Sequence, residues 1–283
     1  MASASTDKPA CMAYRFLGNS GLLVSKLALG SWVMKLAFEH GVNLFDNAET
    51  YGDGLAEKNI GFAITKGIAE GVWTRESLVV TTKIQARKHI VEGTKASLKR
   101  LELDYVDVIF CHQPHPYTPM EEIVRAMNFV IEQGWAIYWG TSSWAVADIR
   151  DVADRLGLIR PIVGQPEYSL LERSKVEVEY ADLYKKYKLG LTTWSPLAFG
   201  ILTGKYSAGA PEGRLAKADK LKPVAKELGV TMAELALAWC VSNENVSSVL
   251  VTPEVKAKID ALAPFVPELP KPARSAKLRA QYL

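Results

Sequence analysis

The stretch "NLFDNAETYGDGLAEKNIGFAI", residues 43–64, begins like a buried strand, passes through a polar turn and ends like a helix. Asp46 stands at the end of the strand pattern, and Tyr51 follows it in the turn. A strand that leads into a helix is typical of a parallel sheet, because parallel strands need a crossover connection. Two interpretations of the Asp46 and Tyr51 pair are open: half of a catalytic site, or a strand end followed by an ordinary polar turn.

The same strand-and-helix pattern recurs along the chain. Eight short apolar runs alternate with longer helical patterns: residues 26–31, 42–47, 77–84, 106–113, 136–142, 161–169, 191–197 and 246–252. Eight such units in one domain of this size indicate an α/β fold of the (β/α)8 TIM-barrel type. An open doubly wound sheet is the weaker alternative, because no Gly-x-Gly-x-x-Gly motif follows the first strand.

Local signals add a hairpin and two helix starts to this prediction. "AYRFL", the turn "GNSG" and "LLVSKL" predict an N-terminal β-hairpin that plugs one end of the barrel. Thr118 and Glu121 form the pattern of a capping box, with Thr118 as the N-cap of its helix. Thr231 and Glu234 repeat the pattern further along the chain.

Composition limits the classes of protein to consider. The chain has 283 residues, of which 48% are apolar and 23% charged, with a net charge of +3. We expect a disordered tail over residues 1–13 and one barrel domain over 14–283. No apolar run is long enough to insert into a membrane, and no basic cluster indicates a nucleic-acid partner. The three cysteines lack metal-site spacing, which predicts a reduced cytoplasmic protein without a bound metal.

Polar residues at the ends of three successive predicted strands indicate a site. Asp46 ends the second strand, Lys83 lies near the end of the third, and His112 ends the fourth, with Tyr51 in the loop after Asp46. Each has an ordinary explanation on its own: an aspartate that caps a helix, a lysine that reaches solvent, a histidine in the core. Because barrel enzymes build their sites at the C-terminal ends of the strands, the coincidence favours catalysis.

The chemistry that suits these four residues is the reduction of a carbonyl group. Hydride addition leaves negative charge on the carbonyl oxygen, which needs a proton donor and local positive charge. Tyr51 would donate the proton, Lys83 would favour its loss, Asp46 would hold Lys83 by an ion pair, and His112 would orient the carbonyl. None of these residues can supply hydride, so a nicotinamide cofactor is implied.

The four residues resemble the Asp-Tyr-Lys-His set of the aldo-keto reductases. From about residue 14 to about residue 262 the chain resembles one branch of that family, the voltage-gated potassium channel β subunits, and most closely the plant and microbial members. The segments that carry the likeness are "LGNSGLLVSKLALGSW", "GVNLFDNAETYG", "AIYWGTSSW", "QPEYS", "TWSPLAFGILTGKY" and "LAWCVSNENVSSVL". The animal channel subunits have an asparagine where this chain has His112, so the resemblance implies a complete catalytic set here.

The resemblance also implies NADPH or NADP as cofactor and assigns residues to bind it. Besides Asp46, these are Ser31, Trp32, Ser142, Ser143, Gln165, Trp194, Ser195, Pro196, Leu197, Ala198, Gly200 and Lys205. Trp194 would stack near the nicotinamide, and the segment after it would line the pyrophosphate groove. Where Ser143 stands, the animal members have an arginine, so one charged contact is absent.

Three functions follow from the resemblance as expectations. The first is an NADPH-dependent reductase that acts on small carbonyl substrates, in a pocket lined by Trp32, Tyr51 and Trp144 unless these residues belong to the core. The second is a cytoplasmic β subunit that binds a potassium channel α subunit and reports the redox state of NADPH. The third is a degenerate barrel without activity, which gains weight only if the chain is genuinely shortened. The family also implies a homotetramer.

The chain lacks segments that the family has, near residues 34/35, 84–88, 213/214 and 251/252. The last loss removes the helix that clamps the adenosine 2′-phosphate. Arg214, directly after the third gap, is either the 2′-phosphate arginine of the family or an ordinary helix residue. Either the chain is genuinely shortened, or the sequence leaves out mobile segments of the protein. We favour the second explanation, which predicts spatial breaks at the four junctions.

Overall fold

The computed structural model describes residues 12–30, 33–85, 89–113, 117–142, 146–204 and 212–251. Its first two strands, β1 (Tyr14–Phe16) and β2 (Leu23–Ser25), form an antiparallel hairpin. Gly18 in the hairpin turn has a φ of 58°, and a Cβ atom there would lie 2.5 Å from the Ile162 carbonyl oxygen and 2.5 Å from the Gly190 nitrogen. The turn therefore lies against the N-terminal end of the barrel, which confirms the predicted plug.

Eight parallel strands form a closed barrel. They are β3 (Leu27–Leu29), β4 (Leu44–Asp46), β5 (Val79–Ile84), β6 (Val106–Cys111), β7 (Ala136–Ser142), β8 (Val163–Gln165), β9 (Gly190–Thr193) and β10 (Val246–Val251). Neighbours in the ring follow the order of the chain, and β10 pairs with both β9 and β3. The predicted (β/α)8 barrel is confirmed.

The strands are connected by helices on the outside of the barrel. They are α1 (Met34–Glu39), α2 (Leu55–Ala69), α3 (His89–Leu101), α4 (Met120–Glu132), α5 (Val146–Leu156), α6 (Ala181–Tyr187), α7 (Glu212–Asp219), α8 (Lys222–Glu227) and α9 (Met232–Ser242). The predicted capping box of Thr231 and Glu234 opens α9. The prediction of Thr118 as the N-cap of α4 is wrong by one residue, because Pro119 with ψ 139° occupies that position and the first helical turn starts at Met120.

Two of the four junctions at which we predict breaks lie within helices. Helix α1 runs through Met34 and Lys35, and helix α7 runs through Gly213 and Arg214. The omission of mobile segments at these places stays a prediction. The short α1 buries Met34 and Ala37 and connects β3 to β4. The junctions at 84–88 and 251/252 include residues outside the described ranges.

Apolar side chains fill the barrel and the space between barrel and helices. Along β6, Val108 and Phe110 belong to the cluster that also contains hairpin residues, whereas Ile109 and Cys111 belong to the cluster that packs under the helices. This alternation is the two-residue period of a strand with both faces covered. In the part of the chain described by the structure, no helix combines the length and apolar character needed to cross a membrane.

Candidate active site

Three neighbouring strands deliver an acid, a lysine and a histidine to one rim of the barrel. Asp46 is the last residue of β4, Lys83 is the penultimate residue of β5, and His112 follows β6 directly. The strands are parallel neighbours, so these positions share the C-terminal end of the barrel. The His112 N–H donates to the Ile84 carbonyl oxygen at 2.8 Å, which fixes the start of the loop after β6.

Asp46 and Lys83 form a buried ion pair. Lys83 is completely buried and Asp46 is 8% exposed, and the Lys83 ammonium donates both to Asp46 Oδ2 and, at 2.7 Å, to the Asn47 carbonyl oxygen. The other carboxylate oxygen accepts hydrogen bonds from Thr81 Oγ1 at 2.6 Å and from Gln165 Nε2 at 3.2 Å. A buried pair is tolerated when further hydrogen bonds satisfy both partners, and this pair meets that condition.

Tyr51 lies above this pair, at the mouth of the barrel. Its ring centre is 4.9 Å from Lys83 Nζ and 6.1 Å from the centre of the His112 ring, with the two rings nearly perpendicular at 82°. Tyr51 is 42% exposed, although the lysine beneath it is fully buried. The phenol is therefore accessible to a ligand and also within reach of a fixed positive charge.

The surroundings of His112 favour the neutral form of its imidazole. Burial and the nearby Lys83 ammonium lower the pKa of the His112 imidazole below its ordinary value, while the carboxylates of Asp46 and Glu49 act in the opposite direction. Its Nδ1 atom is buried and has no hydrogen-bond partner among the described residues. A neutral imidazole at pH 7 has one donor and one acceptor nitrogen and can orient a carbonyl oxygen by donating to it.

Two of the residues assigned to the cofactor lie beside the ion pair. Ser142 Oγ donates to the Gln165 carbonyl oxygen at 3.1 Å, and both side chains are buried. Gln165 Nε2 donates to Asp46 Oδ1 and, at 3.1 Å, to Thr192 Oγ1. Gln165 therefore joins the ends of β4, β8 and β9 in one hydrogen-bond network.

The segment after β9 has a backbone suited to binding an anion. Ser195, Ala198 and Phe199 have φ angles of 54°, 48° and 56°, and Gly200 has a φ of 91°. Left-handed conformations in residues other than glycine carry strain and cluster at functional sites. Residues that change hand along a turn direct successive N–H groups into a concavity that binds phosphate. Pro196 and Leu197 are buried at the base of this turn, and the Trp194 ring lies 6.2 Å from the ring of Phe199.

Two buried polar atoms inside the C-terminal end of the barrel, His112 Nδ1 and Ser248 Oγ, have no hydrogen bond to any described residue. Ser248 lies opposite Thr192 in the barrel register. The hydroxyls of Thr141 and Thr193 are also unpaired, but these residues lie opposite Cys111 and Val249, which pack under the helices. Buried polar groups are normally paired, so the unpaired atoms inside the barrel leave a place for a ligand with polar groups of its own. These atoms and the left-handed turn together fit a nicotinamide dinucleotide.

Some predicted site residues lie outside the described ranges, namely Ser31, Trp32, Ser143, Trp144 and Lys205. Arg214 is described: it lies on α7, with Nη2 4.0 Å from Glu172 Oε2. Among the described residues no group of three or more His, Cys, Asp or Glu side chains could hold a metal ion. Cys111 and Cys240 are buried free thiols.

Sequence reasoning missed four residues that hold the site together: Thr81, Asn47, Thr192 and Glu49. Thr81 had a usable signal, because it stands two residues before Lys83 on one strand and so shares its face. The Asn47 carbonyl oxygen, which accepts from Lys83, carries no signal in its side chain. Glu49 accepts hydrogen bonds from the Gln85 N–H at 2.8 Å and contacts His89 Nε2 at 2.6 Å, across a loop whose path the sequence does not reveal.

The barrel and this constellation at its C-terminal end define the class of the protein. Residues 28–268 match the model of the Aldo/keto reductase family, and the chain belongs to that family. More particularly, it is 49% identical to a probable voltage-gated potassium channel subunit beta of Arabidopsis thaliana, over 84% of this chain and 86% of that protein. It is 44% identical to a protein of the same description from Oryza sativa subsp. japonica, over 91% of this chain and 98% of that protein.

A solved structure agrees with the fold. A thermostable aldo-keto reductase crystallised with the inhibitor epalrestat superimposes with a TM-score of 0.73 at 24% identity, covering 94% of this chain and 98% of that one. The alignment with the Arabidopsis protein extends over 287 residues while covering 84% of this chain, which has 283 residues in all. That relative therefore contains segments with no counterpart in this sequence.

Proposed function

We propose that this protein is an NADPH-dependent reductase that converts aldehydes and ketones to alcohols. The observation that carries the proposal is the buried Asp46–Lys83 pair beneath the exposed phenol of Tyr51, with the neutral His112 ring beside it. A fixed cation below a proton donor, facing an accessible mouth, is the arrangement that the reduction of a carbonyl needs.

A bound nicotinamide cofactor supplies the hydride that adds to the carbonyl carbon. Tyr51 donates its hydroxyl proton to the carbonyl oxygen, so that the alcohol forms and the phenol becomes a phenolate. Lys83 stabilises that phenolate by its charge, and Asp46 fixes the ammonium group in place. His112 donates a hydrogen bond to the carbonyl oxygen and thereby sets the orientation of the substrate.

The residues available for the cofactor are those of the network at β7–β9 and of the turn after β9. Ser142 and Gln165 would present side chains at the nicotinamide end. The Ala198 and Gly200 N–H groups donate within the turn after β9, so the remaining N–H groups between Ser195 and Gly200 are the ones available to the pyrophosphate. NADP rather than NAD is the family expectation. We assign Arg214, at the start of α7, to the 2′-phosphate of the cofactor. In the structure its guanidinium pairs with Glu172.

One experiment tests the proposal directly. NADPH and NADH are titrated against the purified protein by fluorescence, and the absorbance of the reduced cofactor is then followed with a panel of small aromatic and aliphatic aldehydes. We expect NADPH to bind more tightly than NADH and to be oxidised in the presence of at least one aldehyde. Failure to bind either cofactor would overturn the proposal. Arg214→Ala should weaken binding of NADPH much more than binding of NADH.

A second function is supported by the descriptions of the plant relatives. Both are described as probable channel β subunits, so we propose that the protein also forms a homotetramer that binds a potassium channel α subunit in the cytoplasm. The test is co-purification with the tetramerisation domain of a plant potassium channel, with native mass spectrometry to count subunits. A monomer that does not retain this domain would contradict the second function and leave the first in place.

A further inference from the structure

Glu49 connects the turn that carries Tyr51 to the strand that carries Lys83. Its N–H donates to the Lys83 carbonyl oxygen at 3.1 Å. Its carboxylate accepts from the Gln85 N–H at 2.8 Å through Oε1 and contacts His89 Nε2 at 2.6 Å through Oε2. Both carboxylate oxygens are therefore engaged, and Glu49 reaches the end of β5 and the first residue of α3 at the same time.

The turn beyond Glu49 has little apolar packing to hold it. Residues 50–53 are exposed, and Gly52 and Asp53 have left-handed φ angles of 56° and 52°. Within the turn, the Tyr51 N–H donates to the Ala48 carbonyl oxygen at 3.1 Å. Because few buried apolar atoms fix this segment, its position depends on the hydrogen bonds of the residue that precedes it.

The absence of a side chain at Gly93 in α3 leaves room for His89, the partner of Glu49. His89 stands one helical turn before Gly93, and a Cβ atom at Gly93 would lie 2.5 Å from His89 Nε2. The Nε2 end of the imidazole therefore lies over the glycine, and the same nitrogen contacts Glu49. A side chain at Gly93 would push the ring away from the carboxylate.

We propose that Glu49 is a positioning residue for the reduction. It holds the Tyr51 turn against β5, so that the phenol stays above the Lys83 ammonium. His89, which lies over Gly93, holds the Glu49 carboxylate in place from the other side. Glu49 acts through Tyr51 rather than on the substrate. Its carboxylate also acts on the His112 ring, together with the charges of Lys83 and Asp46. The inference rests on the proposed reductase function.

The test compares Glu49→Ala, Glu49→Gln and Gly93→Ala with the unchanged protein. Displacement of a reacting group by about 1 Å costs on the order of 100-fold in rate. We therefore expect Glu49→Ala to lower kcat by about 10- to 100-fold, with less than about threefold change in the KM for aldehyde and in the Kd for NADPH. Glu49→Gln keeps an acceptor for the Gln85 N–H, so its kcat should fall by a smaller factor than that of Glu49→Ala. Gly93→Ala should lower kcat without touching Glu49. Glu70→Ala, which removes an exposed carboxylate paired with Lys66 on α2, is the control.

Two readouts separate positioning from a general loss of structure. In both Glu49 variants the His112 signal, followed by NMR, should titrate at a lower pH than in the unchanged protein, because the Glu49 charge raises the pKa of that ring. In a crystal structure of Glu49→Ala the Tyr51 ring centre should lie farther than 4.9 Å from Lys83 Nζ. A ring that stays in place, or an unchanged kcat, would overturn the inference. The crystallographic readout needs no turnover, so it decides the inference even if the unchanged protein reduces no aldehyde.

Discussion

The ammonium nitrogen of Lys83 lies 4.9 Å from the centre of the Tyr51 ring, although Lys83 is completely buried and Tyr51 is 42% exposed. The charge is thus fixed by the interior of the barrel, while the phenol meets the solvent. An ammonium group cannot be left in the interior without partners. Asp46 and the Asn47 carbonyl oxygen provide them and so determine where the cation stands.

Replacement of Tyr51 by phenylalanine removes the proposed proton donor and keeps the ring. General acid catalysis contributes about 100- to 10,000-fold to a rate, so we expect kcat for aldehyde reduction to fall by that order. The Kd for NADPH, measured by fluorescence titration, should change little because Tyr51 is not assigned to the cofactor. Wild-type turnover in Tyr51→Phe would refute the assignment of the donor.

The Asp46–Lys83 pair can be tested by a double-mutant cycle. Lys83→Met leaves the Asp46 carboxylate without its cation, and Asp46→Asn leaves the buried ammonium without its anion. Breaking a buried pair in this way costs about 3–5 kcal/mol, whereas removing both charges is much less harmful. We expect the double variant to unfold at a higher urea concentration than either single variant. Additive losses would show that the two charges are energetically independent. All three variants should lose reductase activity.

The stability of the protein should depend on pH through His112. Its pKa in the folded protein lies below the ordinary 6.5, so between these two values the unfolded chain binds more protons than the folded one. The free energy of unfolding therefore rises with pH in that window and is reduced at lower pH. Urea unfolding at pH 5 and pH 7 should show a smaller difference for His112→Asn than for the unchanged protein. His40→Asn, at the end of α1, controls for the loss of an imidazole.

The left-handed turn after β9 can be tested at Gly200, which has a φ of 91°. A side chain in a left-handed conformation costs about 1–2 kcal/mol, and relief of that strain would move the backbone N–H groups of the turn. Gly200→Ala should therefore weaken NADPH binding by about tenfold in a fluorescence titration. Gly157→Ala, directly after α5, is the matched control, because Gly157 has a φ of 65° and an added Cβ there meets no atom within 4 Å. Equal affinities in the two variants would contradict a role of the turn in cofactor binding.

Much of the barrel follows from the alternation of short apolar runs with helical patterns. Seven of the eight predicted strand segments contain the strand observed, and β9 begins at Gly190, one residue before its predicted segment. The strands have both faces covered, so most of their residues are apolar. The start of α4 shifted by one residue, since a proline can fill the N-cap position that a threonine also suits. The likeness to longer relatives indicates which segments are absent from this sequence but not how the chain joins the remaining ends, so the expected breaks stay a prediction.

The site was predictable where side chains with distinctive chemistry end consecutive strands, as Asp46, Lys83 and His112 do. The interactions that fix the geometry of these three side chains were not predictable from the sequence. Gln165 reaches Asp46 from four strands further along the chain, a contact that depends on closure of the ring. The left-handed conformations of Ser195, Ala198 and Phe199 could not be predicted either, because residues other than glycine rarely adopt them and the amino-acid sequence gives no sign of backbone strain.

The pairing of β10 with β3 has a consequence for synthesis of the protein. The two strands that close the ring are Leu27–Leu29 and Val246–Val251, near opposite ends of the barrel sequence. Until β10 has left the ribosome, β3 and β9 are unpaired edges of an open parallel sheet, and such edges associate readily with other chains. Contacts between distant parts of a chain also slow folding. We therefore expect a nascent chain that stalls before Val246 to depend on chaperones, and a ribosome-bound fragment of that length to aggregate after release.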